Sequence, residues 1–287
     1  MTSTATPSPA VTAAKGRHRI RAVPLVCGIL LLFVFLVTVT GQALAPHDPG
    51  AQNPALSVSA PGPGHLLGTD QLGRDVLSQL IGGTRSALLG PLVVALGCLA
   101  VGAGLGMAGA YFGGITDSLV GRFADLVYAL PALLIAIVAV GVLGGGYWVT
   151  AAVLLVLSVP GQIRLCRSAT MVHVRLPYVD AARTLGLSPW RILLRHILPN
   201  TLPTVFATFL LDFVGALIGF TAMSYLGLGV PGGSPDWGRM LADGQALIAE
   251  NPWLSMAPAV LLCLTAASAS LLGDWLQEQL DRRGDRT

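Results

Sequence analysis

The feature that most constrains this chain is a series of apolar runs, each close to 20 residues long. A helix of about 20 apolar residues crosses ~30 Å of hydrocarbon. No water reaches that layer, so the backbone must satisfy its own hydrogen bonds, and long apolar runs are expected as helices. Six spans are expected, at roughly 22–45, 86–110, 119–142, 147–166, 201–226 and 256–276. Charge agrees with this reading: 53% of the 287 residues are hydrophobic and only 11% charged, against about 25% charged in a soluble domain. The expected fold class is an all-α membrane protein of six transmembrane helices, in contact with membrane lipids. Its first run exceeds the 7–15 apolar residues of a cleaved signal peptide, so it is expected to stay as a span despite the small-residue segment Ala43-Leu44-Ala45.

Basic residues orient the spans. With the N-terminus placed in the cytoplasm, Lys15, Arg17, Arg19, Arg21, Arg122, Arg164, Arg167, Arg175, Arg183, Arg191, Arg195, Arg282, Arg283 and Arg286 fall inside, and only Arg74, Arg85 and Arg239 outside. Both termini are therefore expected in the cytoplasm. Residues 1–21 are expected as a disordered leader, 22–45 as the first helix, 46–85 as a Pro/Gly-rich extracytoplasmic loop, 86–276 as the core and 277–287 as a cytoplasmic tail. Within the second span, Gly102 and Gly106 form a small-xxx-small pair that lets another helix approach closely.

Several chemistries are excluded. The single lysine, Lys15, follows no Gly-rich turn, so there is no P-loop for ATP. No catalytic constellation is visible, and the five histidines are scattered, with no metal-ligand spacing. Cys27, Cys98, Cys166 and Cys263 lie far apart in apolar context and read as small buried residues. No basic-aromatic interleaving suggests nucleic acid. Asp125 and Asp212 sit in apolar context, where a charge costs a few kcal/mol; both are candidates for pore lining or for a hydrogen bond between helices. Asp117, near a loop, is expected to be solvated.

The loop 167–199 between the fourth and fifth spans carries the most detail. Pro177 suits a first helical turn. Tyr178, Ala181, Ala182 and Leu185 then fall at i, i+3, i+4 and i+7, one face built partly of small residues. Gly186 can end that helix in the left-handed conformation. Ser188 is expected to cap a second helix with Pro189 at its first position. Trp190, Leu193, Leu194 and Ile197 form its apolar face, His196 lies near its end, and Pro199 is expected to stop it.

Asp180-Ala181-Ala182, three residues, Gly186, then His196-Ile197-Leu198-Pro199 resembles the "EAA" coupling loop of ABC-importer membrane subunits, with Asp180 in place of the more usual Glu. Three further motifs are similar to the C-type permease of the dipeptide/oligopeptide/nickel family. They are Gly68-Thr69-Asp70-x-x-Gly73-Arg74-Asp75, then Ser224-Tyr225-Leu226-Gly227-Leu228-Gly229-Val230, and then Pro235-Asp236-Trp237-Gly238 with Asp243-Gly244. Together these cover about residues 20–283. Where many relatives carry an acid four positions before Ser224, this chain has Phe220.

The resemblance implies a permease subunit of the bacterial inner membrane that moves dipeptides or oligopeptides, or a nickel chelate, glutathione or haem. It implies a homologous second permease as partner, an extracytoplasmic solute-binding protein, and one fused or two separate ATPase chains that bind ATP and Mg. In that family the first loop helix docks in a groove on the ATPase. A secondary transporter working without ATPases would favour inverted repeats, and the first half holds no copy of the Asp-Ala-Ala loop. A membrane-embedded protease would need paired acids or a His-based metal motif.

Overall fold

The computed structural model describes residues 22–284, so the leader 1–21 and the last residues of the tail lie outside the described region. Among the described residues the regular structure is helical. Helix α1 (Ala22–Leu44) is followed by an irregular segment holding one 3-10 turn, Pro54–Leu56. Helices α2 (Val76–Gly97) and α3 (Ala103–Phe112) are joined without a break by a π-helical turn, Cys98–Gly102, which makes one rod from Val76 to Phe112. Then come α4 (Gly114–Tyr128), α5 (Ala132–Val142) and α6 (Tyr147–Val174). Two short helices, α7 (Pro177–Thr184) and α8 (Pro189–Ile192), lead through a second π turn, Leu193–Ile197, into α9 (Leu198–Tyr225). A short α10 (Trp237–Gln245) precedes the long α11 (Trp253–Gly284).

Among the described residues, five helices are long and apolar enough to cross a membrane: α1, the α2–α3 rod, α6, α9 and α11. The expected third span is bent. α4 and α5 meet at 86°, because Pro131 has no N–H to give and starts α5 from an extended conformation. The pair still joins the two faces. Only Gly113 separates Phe112 from Gly114 at one face, and at the other the Gly146 N–H donates to Leu228 O beyond the end of α9, at 3.2 Å. Counted as one span, the bent pair brings the total to six.

Two expected boundaries move. The second span begins at Val76 rather than near residue 86, because Asp75 caps that helix directly. The loop 46–85 therefore ends at Asp75. Pro199 does not stop a helix, since the backbone is helical from Pro189 to Tyr225. The π turn at Leu193–Ile197 absorbs the register change that the ring would otherwise force.

Close packing of α3 on α6 rests on glycine. A Cβ at Gly102 would stand 2.6 Å from Gln162 Cβ, and one at Gly106 would stand 2.6 Å from Ile163 O and 2.9 Å from Cys166 Cβ. The central core of Val94, Cys98, Leu154, Ile163, Ala216, Phe220 and Met223 joins α2, α6 and α9. Cys27, Cys98 and Cys166 are buried free thiols, whereas Cys263 is exposed. Gly106→Leu is expected to cost about 1–3 kcal/mol through overpacking, lowering the melting temperature of the detergent-solubilised protein. Gly104→Ala, which meets nothing within 4 Å, is expected to melt as the parent does.

Candidate functional site

Two polar assemblies stand at opposite ends of the bundle. The first is built from Gly68–Asp75. Asp70 is buried and accepts at both oxygens: Oδ1 from the N–H groups of Leu72 at 2.9 Å and Arg74 at 2.8 Å, Oδ2 from Arg74 Nε at 2.7 Å and Gln79 Nε2 at 2.9 Å. Every lone-pair direction of this buried acid is thus met, and the Arg74 guanidinium is held beside it. Arg74 also reaches Gly233 O at 3.3 Å, in the loop after α9. Thr69 accepts from the Ser59 N–H at 2.9 Å and donates to Leu56 O, which closes the loop on itself. Asp75 Oδ2 caps α2, accepting from the Ser78 N–H at 2.8 Å and its hydroxyl at 2.6 Å, while Oδ1 meets His65 Nδ1 at 3.0 Å. Burial pushes the Asp75 carboxyl up, but the Ser78 and His65 hydrogen bonds outweigh it and hold the group below the usual carboxylate range.

The Pro235-Asp236-Trp237-Gly238 motif packs on α2. Trp237 is fully buried, and its indole N–H donates to Leu80 O of α2 at 2.9 Å. Ser86 donates to Pro235 O at 2.8 Å, and Asp236 caps α10 through the N–H groups of Gly238 and Arg239. The Asn251 amide reaches back to Leu67 O at 3.0 Å. Gly73 has φ +71°, and a Cβ there would run into Asn53 O.

The second assembly is the loop 167–199. α7 ends at Gly186, φ +75°, and the Leu187 N–H returns to Ala182 O at 3.2 Å in the six-to-one bond of a Schellman cap. Ser188 stands at the N-cap of α8, but its side chain makes no capping bond. The buried face is not the expected stripe. Val179 and Ala182 of α7 pack with Ile192 and Ile197, against Tyr111 of α3 and Val174 of α6. Ala181 and Leu185 point away and are exposed, Tyr178 is half-buried, and Trp190 and Leu194 are exposed while Leu193 is buried. Periodicity located an apolar side but could not say which side the chain itself would cover, and the π turn rotates the second helix's stripe.

The loop is tied to the spans beneath it. The Phe112 and Trp190 rings lie 5.6 Å apart, the Arg183 guanidinium stands 5.3 Å over the Tyr111 ring, and Tyr178 OH meets His173 Nδ1 at 3.3 Å. Asp180 is exposed and pairs with Arg183 at 3.3 Å. His196 is half-buried, and Pro199 lies exposed in the first turn of α9.

The lone acids find different surroundings. Asp125 of α4 accepts from Arg164 Nη2 of α6 at 2.6 Å, both exposed, and the same guanidinium lies 4.7 Å over the Tyr128 ring. Asp117 is not simply solvated, since Arg167 grips it through Nε and Nη2. The spacing of Arg164 and Arg167 on α6, one turn apart, was the available signal for this second helix-to-helix clamp. Asp212 of α9 is half-buried, and its Oδ2 lacks a hydrogen-bond partner. Phe220 is buried against Tyr147, ring centroids 5.2 Å apart, within the bundle core.

This helical bundle, with a short-helix loop docked at one face and a polar cap at the other, has the architecture of an importer membrane subunit. Its fold is similar to that of a chain of the MetNI methionine ABC transporter in an inward-facing conformation, with TM-score 0.55, 18% identity, and coverage of 70% of this chain and 96% of that one. The family model described as "Binding-protein-dependent transport system inner membrane component" matches residues 100–286. Over 263 residues the chain is 32% identical to a glutathione transport system permease protein of Pectobacterium atrosepticum, covering 90% of this chain and 86% of the relative. It is also 32% identical to a dipeptide transport system permease protein of Haemophilus influenzae, with 88% of each covered. The chain belongs to the binding-protein-dependent transport inner membrane component family and is a multi-pass permease subunit.

The polar cap has a direct test. Gly73→Ala is expected to open the loop 46–75 to protease and destabilise the protein, because it combines left-handed strain with overlap onto Asn53 O. Gly64→Ala, at φ +97° with nothing within 4 Å, carries only the strain, of order 1 kcal/mol, and is expected to resist cleavage nearly as the parent does.

Proposed function

We propose that this chain is one of two homologous permease subunits that together enclose a path for dipeptides or oligopeptides, with cytoplasmic ATPases docked on the 167–199 loop and a solute-binding protein at the Gly68–Asp75 face. ATP and Mg belong to the ATPases. Both chain ends lie in the cytoplasm with that loop. The observation that carries this reading is the loop's two-sided build. Its inner side, Val179 and Ala182, is anchored on α3 and α6, while Ala181, Leu185, Trp190 and Leu194 stand exposed beside Arg191 and Arg195. An exposed apolar cluster with a basic margin suits a protein partner. Motion of that partner would pass through the anchored side into the spans, giving alternation between two faces by rigid-body movement.

The peptide assignment is supported by the dipeptide permeases among the relatives, including a di/tripeptide permease of Pseudomonas aeruginosa at 32% identity. A second reading, glutathione, is favoured by the glutathione permease of Pectobacterium. Glutathione is itself a tripeptide, so the two readings ask for similar pore chemistry. Asp212, on α9 with an unpartnered carboxylate oxygen, would face that path. Asp125, already paired with Arg164 on an exposed face, is better suited to holding α4 against α6.

The two sides of α7 separate the roles. Ala181→Glu, on the exposed side, is expected to leave insertion and melting unchanged while lowering ATPase co-purification and solute uptake at least tenfold. Ala182→Glu places a charge among Val179, Ile192 and Ile197 and is expected to loosen the loop itself, seen as new protease sites. Normal uptake by inserted Ala181→Glu would remove the docking role. A reporter fused after Arg175 should read cytoplasmic, and an external signal would reverse the orientation.

A further inference from the structure

The histidines looked scattered along the sequence, but two of them meet at the polar cap. His47 follows α1 by three residues, and His65 lies 18 positions further on, in the loop. Their rings stand 5.0 Å apart, tilted by 31°. Both face Asp75, the cap of α2: His65 Nδ1 is 3.0 Å from Oδ1 and His47 Nδ1 is 3.8 Å from Oδ2. Each of the three residues offers a ligand atom, and all of these atoms lie within 4.8 Å of one another. We propose that His47, His65 and Asp75 form a binding site for a divalent transition cation, of which Zn2+ is the simplest probe, on the face away from the 167–199 loop.

The donor set fits that class of ion. Two neutral imidazoles and one carboxylate suit zinc, copper or nickel rather than calcium or magnesium, which prefer oxygen. Ligands about 2.0–2.2 Å from a tetrahedral metal lie roughly 3.4 Å from one another. The His65–Asp75 pair is already near that separation. His47 must close by less than about 1.5 Å, and it has room to do so: its side chain is 45% exposed and now stands 3.8 Å from Asp75 Oδ2. The backbone under it is fixed, since the His47 N–H donates to Ser78 Oγ at 3.0 Å. Asp75 keeps its helix cap while binding, because Oδ2 serves Ser78 and Oδ1 turns from His65 to the ion. His65 then carries its proton on Nε2 and offers the Nδ1 lone pair, so no proton need leave a neutral ring.

The ligands come from the exit of α1, the middle of the loop and the start of α2. A cation there would pin the exit of α1 to the bundle, beside the bond from the His47 N–H to Ser78 Oγ. Three protein ligands leave a fourth position, and it opens to solvent on the side of His47.

The test uses full-length, tag-free protein in detergent, stripped with chelator and titrated with ZnCl2 by calorimetry, alongside thermal melting. The parent is expected to take up one ion per chain saturably and to melt higher with Zn2+ than without. His47→Ala leaves the Asp75 cap and the His65 bond intact, so its metal-free melting is expected to match the parent while Zn2+ affinity falls at least tenfold. His65→Gln keeps a donor for Asp75 and is expected to lose affinity similarly. Absence of saturable binding in the parent, or equal affinity in parent and both variants, overturns the site. Solute uptake plays no part in the readout, so the result stands apart from the transport assignment.

Discussion

Everything in this structure depends on one constraint: in the hydrocarbon layer a peptide group must find its partner within the protein. Long helices meet that demand, and irregular backbone is pushed to the two faces. The polar cap and the 167–199 loop are the segments released from it, and they carry the polar networks. Where the α2–α3 rod deviates, it stays helical through the π turn at Cys98–Gly102. Before the sharp break at Pro131, α4 is held against α6 by Asp117–Arg167 and Asp125–Arg164.

The cap works as one network because its charged groups are each used several times. Asp70 serves Leu72, Arg74 and Gln79, and Asp75 serves Ser78 and His65. Arg74 and Trp237 then bind the loop after α9 to the start of α2. Segments 157 and 159 residues apart in the sequence thus meet on a single surface. Buried polar networks of this kind favour one arrangement over its neighbours only when complete, which explains why the glycines at 68 and 73 leave no room for a Cβ.

Much of this was legible in the sequence. Apolar run length gave the spans, since hydrophobic thickness sets helix length directly. The glycine seam of α3 followed from its four-residue spacing. The loop's Gly186 turn was readable because only a left-handed residue ends a helix that way. Other features were out of reach. Which side of α7 is covered depends on how the loop folds back onto Tyr111 and Val174, a tertiary fact with no local signature. The 86° bend could not be told from a tolerated proline kink. His47 and His65 meet only because the segment between them doubles back, and isolated residues 18 apart carry no mark of that.

The helix that leaves the loop does not end at Pro199 but runs on from Pro189 to Tyr225. At about 1.5 Å per residue that is a rod of roughly 55 Å, rooted beside Trp190 at one membrane face and ending beside the Gly227–Leu228 turn at the other. Over such a length a tilt of about 5° about one end sweeps the far end through roughly 5 Å. The 167–199 loop and the turn beneath the polar cap thus share one continuous helical backbone, the two ends of a single stiff element.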